Sequence, residues 1–226
     1  MPLNFLFSYG YPKDWLVDST PYKARIDIND SILYLENGLV SRKFTLPPYV
    51  ATVGLENQMT GNEELRAVRP EALLIINGQE YSVGGLYGQP VQNFLSKDFL
   101  SQMEGQDTAF VCTSYQIDET VERFPYKARK EWISNDNPWP APGKRIVFKY
   151  EAGPQASQTI RGITVCVAYE LYDGAPILSK QIEIFNETGR EIILDSFKSE
   201  ILALTETAPK VHYGEPHEVR MLAQEP

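Results

Sequence analysis

Apolar and polar residues alternate along most of this chain with a period of two, and that alternation leaves little choice of fold. In ITVCVAYELY, Ile163, Val165, Val167, Tyr169 and Leu171 form one face, and Thr164, Cys166, Ala168, Glu170 and Tyr172 the other. Successive side chains point to opposite sides of a strand, so this is a strand with one face well buried and the other partly so. ILSKQIEIF (177–185) alternates again, with Leu178, Ile182 and Ile184 on one side. Asn186, Glu187, Thr188 and Gly189 read as a hairpin loop into REIILDSF, which predicts a three-stranded antiparallel meander over 160–204. The same grammar recurs upstream. ARIDI and ILYLEN flank Asn29-Asp30, GLVSRKFTL follows Asn37-Gly38, and EALLIINGQEYSV turns on Asn77-Gly78. TAFVCTSYQI and KRIVFKYEA bring the expectation to about ten strands. A helical stripe of eleven or more residues is missing, and only 92–104 could give a short helix or turn. Many short strands with frequent turn signals predict an all-β antiparallel sandwich or barrel.

With 226 residues the chain can bury a core without disulfides or metal. A net charge of -9 and the lack of a basic stripe argue against a nucleic-acid surface, since neutralising phosphates needs clustered Lys and Arg. No run approaches the roughly 18 apolar residues of a membrane span. The opening MPLNFLFSYGYPKDW lacks a charged stretch followed by an apolar core, and so does not read as a signal peptide. Cys112 and Cys166 both fall in apolar strands and read as buried free thiols, with a single bridge left open if those strands are neighbours.

Catalytic motifs are missing. His212 and His217, with Glu215 and Glu218, fall in HYGEPHE, where Pro216 breaks the helix that would put them on one face, so no metal site is expected. No G-x-S-x-G occurs, and both histidines lie in the tail, away from any nucleophile. VGGLYGQP (83–90) leads into no clear helix and reads as a tight loop rather than a phosphate cradle. Glycoside hydrolysis needs two facing carboxylates. Glu170, Glu183 and Glu200 lie in predicted strands, but an alternating strand places about half its polar residues in water anyway, so each reads as solvated. No catalytic residue and no cofactor is assigned.

EWISNDNPWPAPG (131–143) holds two of the three tryptophans and three prolines. Aromatic faces stack on the C–H faces of sugars, and carboxylates and amides bind hydroxyls. Trp132, Asp136, Asn137 and Trp139 supply both within eight residues, and the prolines stiffen the loop. The alternative is structural: the tryptophans clamp a sheet edge or a neighbouring domain, with prolines preventing edge pairing.

Several spaced motifs resemble the N-terminal region of bacterial melibiase-type (α-galactosidase-like) glycoside hydrolases. Asn37, Gly38, Leu39, Arg42 and Phe44 match an N-G-L-v-x-R-x-F strand end. Arg69, Pro70, Glu71 and Ala72 precede an Ile76-Asn77-Gly78 hairpin. A Trp-Pro-x-Pro-Gly stretch occupies 139–143, and Ser199-Glu200 follows a closing N-x-(T/S)-x-x-x-I-x-L hairpin. The similarity spans roughly 30–205 and implies a galactose-mutarotase-like β-supersandwich over 1–205. Residues 206–226, rich in proline, would then be a linker or tail toward an absent catalytic (β/α)₈ barrel. The resemblance implies a non-catalytic domain of a carbohydrate-active enzyme, with a carbohydrate partner that could carry galactoside, and a periplasmic or secreted parent. The alternatives are an autonomous mutarotase-like epimerase and a free-standing carbohydrate-binding module.

Overall fold

Short turns with left-handed backbone set the first hairpins, as the turn residues predict. The computed structural model describes residues 14–90, 94–127, 129, 131 and 138–205. Strands β1 (Arg25–Asn29) and β2 (Ile32–Glu36) are joined through Asp30 and Ser31, at φ of 48° and 64°. Strand β3 (Val40–Thr45) follows Gly38 at φ 86°, and β4 (Thr52–Asn57) and β5 (Asn62–Glu63) complete a five-stranded antiparallel sheet in sequence order. After β6 (Leu65–Ala67), strands β7 (Ala72–Ile76) and β8 (Gln79–Val83) turn on Asn77 and Gly78, both at positive φ. Two consecutive left-handed residues make the primed turn that suits strand twist, which is why Asn-Gly is found there.

A single helical turn, α1 (Lys97–Leu100), is capped by Ser96, whose hydroxyl accepts the Phe99 amide at 3.2 Å. It falls inside the predicted 92–104 segment. Three long strands follow: β9 (Phe110–Glu119), β10 (Gly143–Ala152) and β11 (Ile163–Tyr172), then β12 (Leu178–Asn186), β13 (Leu194–Lys198) and β14 (Ala203–Leu204). The larger sheet runs β12-β11-β10-β9-β8-β7-β13, and β14 pairs with β6. Only one residue pair, Val83 with Phe110, joins β8 to β9, and it is parallel. The protein is thus an all-β sandwich with one antiparallel and one mixed sheet.

The meander prediction needs correction at its third strand. β11 and β12 form the predicted hairpin, but β13 pairs with β7 at the opposite end of the sheet. The β7–β8 turn captures it. Asn77 donates its amide to the Ile193 carbonyl at 2.9 Å, its side-chain oxygen accepts the Ile193 amide at 2.9 Å, and Asp195 accepts the Gly78 amide at 2.8 Å. Gly189 does take the left-handed conformation expected of it, φ 69°, in a connection that leads to the other end of the strand order instead of closing a hairpin.

The core lies between the sheets. Leu33, Leu35 and Phe44 from the smaller sheet meet Phe148, Val167, Tyr169 and Leu171 from the larger, all fully buried. The predicted inner face of β11 is the observed one. Both cysteines are free, and β10 separates the strands that carry them. Burial pushes the Cys112 thiol up to about 12, which keeps it protonated and inert. No helix among the described residues is long and apolar enough to cross a membrane.

Candidate functional site

Two polar centres stand out, one closed and one open. The closed centre sits between the sheets. Arg42 on β3 projects into the core and donates to both oxygens of Glu200, at 2.8 and 3.2 Å, and to Thr52 Oγ1 at 3.0 and 2.8 Å. Glu71 accepts the Thr52 amide at 2.5 Å and the Tyr169 hydroxyl, and lies 3.5 Å from Arg42. Lys180 on β12 reaches Glu200 at 3.0 Å and the Glu71 carbonyl at 2.5 Å. The Arg42 guanidinium also lies 4.5 Å from the centre of the Tyr169 ring.

The residues of this centre hold one another's charge. Burial alone would lower the pKa of Arg42, but Tyr169, Glu71 and Glu200 together raise it above its ordinary value. Burial lowers that of Lys180. Burial also opposes ionisation of Glu200, yet hydrogen bonds and charge from Arg42 and Lys180 win and hold its carboxyl below the usual range. Every charge is matched, and the centre fixes β3, β12, the approach to β7 and the chain after β13 to one another. Glu200 was expected in water; instead it closes this centre.

The open centre lies on the outer face of the larger sheet. Strand register lines up Asp118, Arg145, Glu170 and Ser179 across β9, β10, β11 and β12. Alternation would leave Glu170 in solvent, but it is buried, 2% exposed, because the β9–β10 connection folds over it. From that connection Arg123 donates to Glu170 and to Ser179, and to the Tyr172 hydroxyl at 3.2 Å. Hydrogen bonding to Glu170 raises the Arg123 pKa and outweighs the opposing effect of burial. Arg145 approaches the other Glu170 oxygen at 3.4 Å.

Trp139 stands over this row. Its ring packs against Phe124 and Tyr126, with centroids 5.7 and 4.8 Å away, and its Nε1 donates to Glu122 at 3.2 Å. The side chain is still 43% exposed. On one side it walls a cleft of about 540 Å³ with Phe124, Ile177 and the Arg123–Glu170–Tyr172–Ser179 group. On the other side it walls a second cleft of about 530 Å³ with Tyr126, Lys23 and Thr20. Both volumes fall in the range of small-molecule sites. Asp173 borders both clefts, but its carboxylate is taken by the Ala24 amide at 2.8 Å and Lys23 at 3.0 Å. Glu170 is itself committed, to Arg123, to Arg145 and to the Tyr172 hydroxyl at 2.9 Å.

Of the sequence candidates, Trp139 lies in this site. Trp132, Asp136 and Asn137 lie outside the described residues, as do His212, His217 and the tail from 206 onward. No cluster of three metal-ligating side chains occurs among the described residues. Sequence reasoning missed Arg123, Tyr172 and Ser179, and dismissed Glu170. The one available signal was the outer face of β11, where Cys166 and Ala168 neighbour Glu170 and are poor residues for a solvated surface.

Comparison with family models, with curated proteins and with solved structures gives no match for this chain. The fold and site therefore define a class: an all-β sandwich whose larger sheet carries, on its outer face, a polar cleft walled by an exposed tryptophan.

Proposed function

We propose that this chain is a carbohydrate-recognising β-sandwich domain that serves a glycoside-active enzyme without carrying the hydrolytic chemistry itself. The observation that supports this most is the Trp139 cleft. A sugar ring is amphipathic in the same sense as that cleft. Its C–H face can lie on the indole, while its hydroxyls meet the Arg123, Glu170, Tyr172 and Ser179 polar atoms on the floor. The floor groups are already tied to one another, so little ordering is needed on binding. The wider reading, in which a separate catalytic barrel does the chemistry and the parent is periplasmic or secreted, rests on the sequence motifs resembling melibiase-type enzymes.

The test is tryptophan fluorescence titrated with galactose, melibiose and a galactomannan oligosaccharide, on the wild type and on Trp139→Ala. A saturable change is expected in the wild type. Truncating a central aromatic anchor costs about 2 kcal/mol, so the variant should bind about thirtyfold more weakly. A wild type that responds to no sugar, or a variant that titrates like the wild type, would remove the proposal's support.

A further inference from the structure

We infer that the free edge of β12 is a self-pairing surface, and that two copies of this chain join there antiparallel about a twofold axis at Gln181. The inference rests on β12 alone and not on the sugar reading. Strand β12 ends the larger sheet, and among the described residues its backbone bonds to β11 on one side and to nothing on the other. Exposed edges of this length are normally blunted by proline, by a bulge or by an inward-pointing charge. β12 has no proline, and its nine-residue register with β11 runs without a shift. Its one inward cation, Lys180, is spent on Glu71 and Glu200 inside the sandwich. Among the described residues the edge is left open.

Antiparallel pairing puts residues of the same face opposite each other, so the choice of register can be decided by side chains. Centring on Gln181 sets Ile177 opposite Phe185 of the second copy, twice over. These two residues are 57% and 48% exposed and bracket the strand. It also sets Ser179 opposite Glu183, and Arg123, which already donates to Ser179, then lies beside an incoming carboxylate. Gln181 meets its own copy; its side-chain nitrogen donates to Glu183 at 3.0 Å, and its side-chain oxygen is buried. Neighbouring registers are worse. Centring on Lys180 or on Glu183 places like charges face to face, and centring on Ile182 puts Ile177 against Glu187 and Phe185 against Ser179. Only the Gln181 register covers both apolar residues and opposes no like charges.

The pairing has a consequence for the cleft. Ile177 and Ser179 line it, so Phe185 and Glu183 of the second copy would extend its rim. The two clefts would then lie on one continuous sheet face, which suits a ligand with repeated binding units.

Analytical ultracentrifugation over a wide concentration range tests this directly. The wild type should approach twice the mass of one chain as concentration rises. Gln181→Lys and Gln181→Glu should each stay monomeric, because each places like charges opposite on the axis. An equimolar mixture of the two should recover the dimer, an outcome that a merely structural role for Gln181 does not produce. Circular dichroism checks that the variants fold. If either fails, Ile177→Lys, at an exposed position, takes its place and should also be monomeric. A wild type that remains monomeric at its highest soluble concentration would overturn the inference. So would Gln181 variants that fold and dimerise like the wild type.

Discussion

Replacing Arg42 by alanine is expected to lower the unfolding free energy by about 3–5 kcal/mol, the usual cost of removing one member of a buried ion pair. The reason is what remains. Glu71 is 1% exposed and would lose the guanidinium 3.5 Å away, and Thr52 Oγ1 would lose two donors. Lys180 offers only partial cover, at 3.7 Å from Glu71. Urea unfolding at neutral pH measures the loss, and a change below about 1 kcal/mol would show that Lys180 takes over the charge of Arg42.

The same network sets an acid limit. The carboxyl of Glu200 is held below its unfolded value of 4.5, so the unfolded chain binds its proton first. Its contribution to stability is therefore complete above pH 4.5 and is lost as pH falls through the lower folded value. The wild type should lose stability across that acid window. Arg42→Ala should show a flatter dependence there, since the main group depressing Glu200 is gone. Denaturation midpoints measured stepwise below pH 5 separate the two, and parallel curves would mean that Lys180 alone holds Glu200 ionised.

Phe44→Ala should cost about 3–5 kcal/mol, in the range for a fully buried aromatic. Phe44 is the smaller sheet's bridge to the larger: its ring lies 5.2 Å from that of Phe148 and 4.9 Å from that of Tyr169. It also lies under the Arg42 guanidinium at 5.6 Å, so the cavity would loosen the ion-pair network along with the core. The effects of Phe44→Ala and Arg42→Ala are then expected to be non-additive, with the double variant losing less than the sum. Equilibrium unfolding of both single variants and the double variant reads this coupling. Strict additivity would show that the aromatic bridge and the charge network act independently.

The sequence alone reached the all-β class, the inner face of β11, the Asn-Gly hairpins and the antiparallel β11–β12 pair, though it counted about ten strands where the fold has fourteen among the described residues. Each of these is a local property: side-chain alternation and turn conformation act over a few residues, and a chain carries them wherever it goes. Even Arg42, Glu71 and Glu200, picked out in the sequence as members of three separate motifs, are converged on one buried centre only by the fold. Period two cannot say which polar residue on a strand is covered, because cover comes from another segment. That is why Glu170 reads as solvated in the sequence and lies buried beneath the β9–β10 connection. Nor can it say which edge a strand will choose. β13 follows β12 by a few residues yet pairs with β7, because Asn77, Gly78 and Asp195 provide hydrogen bonds there. For Trp139 the sequence offered two roles, a clamp or a sugar platform. The tertiary structure packs the ring against Phe124 and Tyr126 and still leaves it bordering two clefts, since tilted ring contacts cover only part of an indole.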